Sequence, residues 1–131
     1  MSDKTGKDRI AAGMKTRREV LGDAWVDAAN GKRTDFDSDF QDFITGAAWN
    51  DVWSRPGITR RERSMLTIAI LAALGQWDEL ALHTRATLNT GASRDDLREV
   101  ALHVAIYAGV PAANHAVKVM KQVFAETDQQ T

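Results

Sequence analysis

Residues Thr59 to Arg85 read TRRERSMLTIAILAALGQWDELALHTR. Thr59 stands ahead of a charged first turn, a pattern that caps a helix start. From Met65 to Leu74 the chain is apolar on nearly every side. A helix apolar all round usually lies in the interior, so the stretch predicts a central, buried helix over Arg60 to Leu74. Gly75 ends it. A second helix follows from about Gln76 to Asn89, and Gly91 ends that one. Two helices joined by a glycine, with no period-two alternation nearby, point to an all-α fold.

The neighbouring stretches agree. Ser93 with Asp96 three residues later is close to a capping box, opening a helix to Ala108. Gly109-Val110-Pro111 breaks it, and Pro111 opens a last helix to about Ala125. The polar tail Glu126 to Thr131 is expected to fray. Upstream, Asp8 to Leu21 is amphipathic through Ile10, Met14 and Val20, and Asp23 to Ala29 reads as a short helical turn. Asn30-Gly31-Lys32-Arg33 predicts a loop. Ser38 or Asp39 is expected to cap a helix bearing Phe40, Phe43, Ile44, Ala47, Ala48 and Val52, which Trp53 to Gly57 ends. Short connections predict antiparallel helices in a single domain over residues 1–131.

Composition narrows the function. The chain has 131 residues, 44% hydrophobic and 27% charged, enough for one real core. It has no cysteine, which excludes disulfides, thiolate zinc sites and thiol redox chemistry. A net charge of -1 gives no electrostatic reason to expect nucleic acid. The uncharged run Ser64 to Trp77 is too short for the ~20 residues of a membrane helix. The start, MSDKTGKDRI, lacks the apolar stretch of a secretory signal, so a cytoplasmic location is expected.

Two pairs at i, i+4 spacing invite a chemical reading. Glu79 and His83 share a face of the second helix, beside Trp77 and Leu80. They read either as a proton-handling pair at a pocket edge or as a surface ion pair. His103 and Tyr107 repeat the spacing among Val100, Val104 and Ala105 and are expected to be partly buried, as a core histidine beside a packing tyrosine. His83, His103 and His115 fall on three different predicted helices, with no HExxH motif to suggest a metal. Arg55, Arg60, Arg61, Arg63 and Arg85 form the other cluster. Guanidinium groups suit carboxylates. Positive charge at a helix start is a mild electrostatic misfit that hints at a nearby anion. Trp49 and Trp53 are spaced to wall a pocket or to pack a core.

The elements RPG, LTIA, LHxRA and LHxAIYAGVPAAN, in this order between residues 55 and 116, resemble the 4-carboxymuconolactone decarboxylase family. FQDFITGAAWNDVWSRPG, residues 40 to 57, fits the same family. The resemblance implies an AhpD-like helical bundle. AhpD-like peroxidases carry CxxCxxxH where this chain has Gln76, Glu79 and His83, so both thiols are missing. Ser64 stands where the peroxidase relay glutamate is expected, which leaves no thiol peroxidase. After Pro111 to Asn114 the family pattern favours an acidic residue where this chain has His115.

The resemblance further implies loss of CO2 from 4-carboxymuconolactone, a dicarboxylate lactone, to give 3-oxoadipate enol-lactone in protocatechuate catabolism. It implies no cofactor and no metal, and a homo-oligomer, trimer or hexamer. His83 becomes the expected acid or oxyanion donor, with Glu79 orienting it. Arg85 or Arg55 holds the second carboxylate, with His103, Tyr107 and Trp53 as further pocket candidates. Two alternatives stand beside this: another cysteine-free enzyme of the superfamily acting on a different lactone or carboxylate, or a non-catalytic helical oligomer.

Overall fold

The computed structural model describes residues 6–129. The first five residues of the charged start and the last two of the polar tail lie outside the described residues. Among the described residues every regular element is helical. The chain divides into two compact units, Met1–Ile58 and Thr59–Thr131.

In the first unit, α1 (Gly6–Leu21) and α2 (Asp23–Gly31) are followed by α3 (Ser38–Ile44). Helix α3 continues directly into a π-helical segment, Thr45–Trp53, against which α1 lies. The sequence pattern predicts one ordinary helix here; the wider turn is a finding of the structure. Ser54 Oγ donates to the Trp49 carbonyl, five residues back, at 2.7 Å. With that proton committed, Thr16 Oγ1 is the donor in its 2.7 Å contact with Ser54 Oγ. Gly13 makes the close approach possible: a Cβ there would stand 2.1 Å from the Thr45 carbonyl oxygen. Trp49 and Trp53 are buried, with ring centroids 5.2 Å apart.

Two local expectations change. The Asn30-Gly31 loop is the last turn of α2, because the chain turns just beyond it: Lys32 N–H donates to the Ala29 carbonyl at 3.1 Å and Arg33 N–H to that of Asn30 at 3.2 Å. Asp37, rather than Ser38 or Asp39, is the cap position of α3. Its carboxylate accepts from Thr34 N–H at 2.8 Å and so serves the preceding turn.

The second unit comprises α4 (Arg60–Leu74), α5 (Trp77–Thr90), α6 (Arg94–Tyr107) and α7 (Val110–Gln129). Both predicted helix starts are capping boxes. Glu62 N–H donates to Thr59 Oγ1 at 3.1 Å and Thr59 N–H to the Glu62 carboxylate at 2.9 Å. Ser93 and Asp96 repeat the exchange at 3.0 and 2.9 Å. Gly75 ends α4 at φ 70°, a left-handed conformation that side chains resist. The core joins Ile68, Ala72, Leu80, Leu97, Val100, Val104, Ala116 and Met120. Fully burying a side chain such as Ile68, Leu80 or Leu97 contributes about 1.5–3 kcal/mol.

Helix α4 packs against α5, α6 and α7 and is therefore central. It buries one stripe only, Ser64, Ile68 and Ala72. Leu66, Ile70 and Leu74 remain 55%, 57% and 67% exposed, so the all-round burial expected of this helix is not reached within one chain. The tail also departs from expectation: α7 runs on to Gln129. Arg94 on α6 pairs with Asp128 at 2.6 Å and stacks over Phe124, 4.3 Å from the ring centre. These contacts hold residues that look, in isolation, like a fraying end. No helix among the described residues is long and apolar enough to cross a membrane.

Candidate functional site

Helix α5 carries a band of buried polar side chains. His83, Thr84 and Thr87 are buried alongside Leu80, Leu82 and Ala86. The threonines meet the cost of burial inside the helix: Thr84 Oγ1 donates to the Leu80 carbonyl at 2.7 Å, and Thr87 Oγ1 to that of Thr84 at 2.6 Å. His83 differs, because an imidazole can change charge. Burial disfavours its charged form and lowers its pKa from 6.5 to about 4. At neutral pH the ring is therefore neutral, with one N–H to donate and one nitrogen to accept.

Glu79 lies one turn earlier and is exposed. Among the described residues it makes no hydrogen bond or ion pair. Spacing sets the two residues on one face, and burial separates them: one sits in the interior and the other in solvent. As a carboxylate in the first turn of α5, Glu79 is favoured by the helix dipole.

Arg85 lies two residues beyond His83, about 200° further round the helix, and so faces elsewhere. It is exposed and reaches Glu126 at 3.4 Å. His103 and Tyr107 stack on each other with centroids 5.0 Å apart. Both are exposed, Tyr107 by 80%, which corrects the expectation of partial burial: the apolar neighbours Val100 and Val104 point inward and this pair points out. Trp53 and Arg55 belong to the first unit, Trp53 buried against Trp49 and Arg55 exposed. Within the second unit the structure thus does not gather the sequence-selected residues into one cluster. His83 alone of them is buried there.

Other polar residues explain themselves. His115 stacks flat on Trp77, centroids 4.0 Å apart and planes 10° apart, and so ties the start of α5 to α7. Ser64 is fully buried and shares a 2.7 Å hydrogen bond with Thr90. The arginine cluster has at least one internal anion. Arg61 grips Asp96 with both Nε and Nη2, at 2.7 and 2.6 Å. That guanidinium, together with the capping bonds of Ser93, holds the Asp96 carboxyl well below the usual range. The pair was invisible in the sequence because 35 residues separate its members. Among the described residues no three metal-binding side chains are grouped to hold an ion. A groove of about 510 Å³ runs between α6 and α7, lined by none of the residues selected from the sequence.

The fold and the α5 site define a cysteine-free helical protein with a buried, neutral histidine on its second-unit helix α5. Residues 38–122 match the carboxymuconolactone decarboxylase family, and the chain belongs to it. It is 47% identical over 118 residues to the 4-carboxymuconolactone decarboxylase of Acinetobacter baylyi, covering 90% of this chain and 88% of that one. It is 40% identical over 110 residues to a nitrosuccinic acid decarboxylase of Metarhizium robertsii, covering 84% and 77%. A 4-carboxymuconolactone decarboxylase of Pseudomonas putida is 51% identical over 45 residues, 34% of this chain and 94% of that one.

Proposed function

We propose that this protein removes CO2 from 4-carboxymuconolactone to give 3-oxoadipate enol-lactone, with His83 at the reacting centre. The observation that carries the assignment of the site is the burial of His83 as a neutral imidazole on α5. The family match and the near full-length relative support the reaction.

The chemistry needs only an electron sink, and the substrate brings its own. The bond from the γ-carbon to the carboxylate breaks and CO2 leaves. Its electron pair moves through the ring double bond into the lactone carbonyl. The product of that step is a dienolate, with negative charge on the former carbonyl oxygen of the lactone. A neutral imidazole in a dry site donates its N–H to that oxygen as charge develops, an interaction worth more there than in water. A proton then reaches the α-carbon from water or from His83. Burial makes His83 a poor store of positive charge, which favours the donor role over that of a preformed acid. Glu79 tunes the approach to the site from its exposed position.

The two units serve one domain in this reading, since the family match crosses their boundary. The protein works in the cytoplasm as a homo-oligomer, a trimer or hexamer, on a small-molecule substrate.

A second reading rests on the 40% identical relative. Nitrosuccinic acid also has two carboxyl groups, and its nitro group can take the electron pair released with CO2. An acid of this kind fits the same site logic. The test is CO2 release from each compound above its uncatalysed rate. Acceleration with 4-carboxymuconolactone alone supports the first reading, and with the nitro acid alone the second. With neither, both substrates are wrong.

A further inference from the structure

Two surfaces that this chemistry does not use are complementary to each other. The first is the groove between α6 and α7, of about 510 Å³. Leu97, Ala101, Ala105, Ala113 and Met120 line it with apolar surface. Of its three cations, Arg94 is paired with Asp128 and Arg98 with Asp95, which leaves Lys121 to meet an outside carboxylate. No aspartate or glutamate lines it. Leu102 and Val110, also in the lining, are 60% and 67% exposed.

The second surface is the stretch TDFDSDFQDF, residues 34 to 43, which leads into and forms most of α3. Phe36, Phe40 and Phe43 are 96%, 59% and 70% exposed. Phe40 and Phe43 lie on α3, and Phe36 lies in the turn before its cap, where Ser38 N–H donates to the Thr34 carbonyl at 3.0 Å. Together they offer a short apolar edge of the kind that docks into a groove. Four aspartates accompany the rings. Asp42 pairs with Arg33 at 2.7 Å and Asp37 serves Thr34. Asp35 and Asp39 make no ion pair among the described residues. Three large aromatic rings exposed on one short segment are costly in water unless something covers them.

We propose that the α3 segment of one copy seats Phe36, Phe40 and Phe43 in the α6–α7 groove of a second copy, with Asp35 and Asp39 facing Lys121. Apolar anchors meet an apolar floor, and acidic residues meet a lysine. Each ring brings on the order of 150 Å² of surface, so three supply more than half of the ~800 Å² per partner typical of a specific interface. The two mating surfaces differ, so the contact is head-to-tail. Each copy offers one segment and one groove, and such contacts close into a ring when the rotation allows. This gives the homo-oligomer proposed above a specific interface.

Mixing two damaged proteins tests the arrangement. Phe40→Gln/Phe43→Gln removes the segment's anchors, and Leu102→Glu/Val110→Glu blocks the groove. All four side chains are exposed, and circular dichroism verifies that each variant is folded. Sedimentation velocity then gives the masses. The expected result is an oligomeric wild type, two monomeric variants, and a 1:1 mixture that forms a dimer of twice the chain mass and nothing larger. If a variant fails to fold, charge reversal replaces it: Lys121→Glu should weaken assembly and Asp39→Lys on the partner should restore it. A wild type that is monomeric at every concentration overturns both this interface and the oligomer. Variants that keep the wild-type mass, or a mixture that stays monomeric, overturn the interface and leave the oligomer standing.

Discussion

Helices α5 and α6 carry the same short pattern and treat it in opposite ways. Each places a histidine in an i, i+4 pair, Glu79 with His83 and His103 with Tyr107. On α5 the histidine is buried and its partner is exposed. On α6 both residues are exposed and stack on each other at 5.0 Å. Spacing says which side chains are neighbours. Burial adds what spacing lacks, because desolvation keeps the His83 imidazole neutral. The proposal made above places the reacting group on α5, while the α6 pair lies exposed on the surface of the chain.

The strongest way to break the comparison is to truncate both histidines. His83→Ala is expected to lower the rate of CO2 loss by about 10²- to 10⁴-fold, the range for removing a positioned proton-handling group. His103→Ala is expected to stay within a few-fold of wild type. Steady-state rates of variants verified as folded decide this; equal losses at both positions would erase the distinction.

Acid stability sharpens it next. The folded pKa of His83 is depressed to about 4, below the 6.5 of an exposed histidine. The unfolded chain therefore binds a proton that the folded chain refuses between those values, and stability falls as pH drops from about 6.5 to about 4. A shift of this size amounts to about 3 kcal/mol, fully present above the upper limit and lost once the folded ring is protonated. Urea unfolding at several pH values should show the slope in wild type. In His83→Gln the share of the slope due to this ring should vanish.

Two smaller effects complete the series. Glu79→Gln is expected to change the rate by less than tenfold, since the exposed carboxylate holds no partner that would be stranded; a loss as deep as that of His83→Ala would make Glu79 a reacting group. Tyr107→Ser is expected to change unfolding free energy by no more than about 0.5 kcal/mol, as surface substitutions do. A larger loss in thermal melts would show that the stacked α6 pair contributes to the core.

Local signals were legible in the sequence. Thr59 with Glu62, and Ser93 with Asp96, announce helix starts because both partners lie within three residues. The linked motifs from residue 55 to 116 carried the family, which the match over 38–122 confirms. What failed depends on distant partners. The tail after Ala125 looks frayed until Arg94 and Arg85 come to it from other helices. The apolar run of α4 reads as buried all round, but a sequence does not say how many faces have neighbours. The π-helical segment has a helical period too, so a wider turn left no mark in the pattern. The Asn30-Gly31 pair predicted a turn that begins two residues later. At the candidate site, the sequence selected His83 and Glu79 together. Their different exposure came from the packing of α5 and could not be read from the spacing.

The most direct test of the account is the titration of the His83 imidazole, followed by nitrogen-15 NMR with His83→Gln assigning its signal. The account predicts a ring that stays neutral as pH falls through 6.5 and takes up its proton near 4. A His83 midpoint at or above 6.5 would contradict it: the ring would then be charged or solvated, and burial on α5 would no longer set its chemistry.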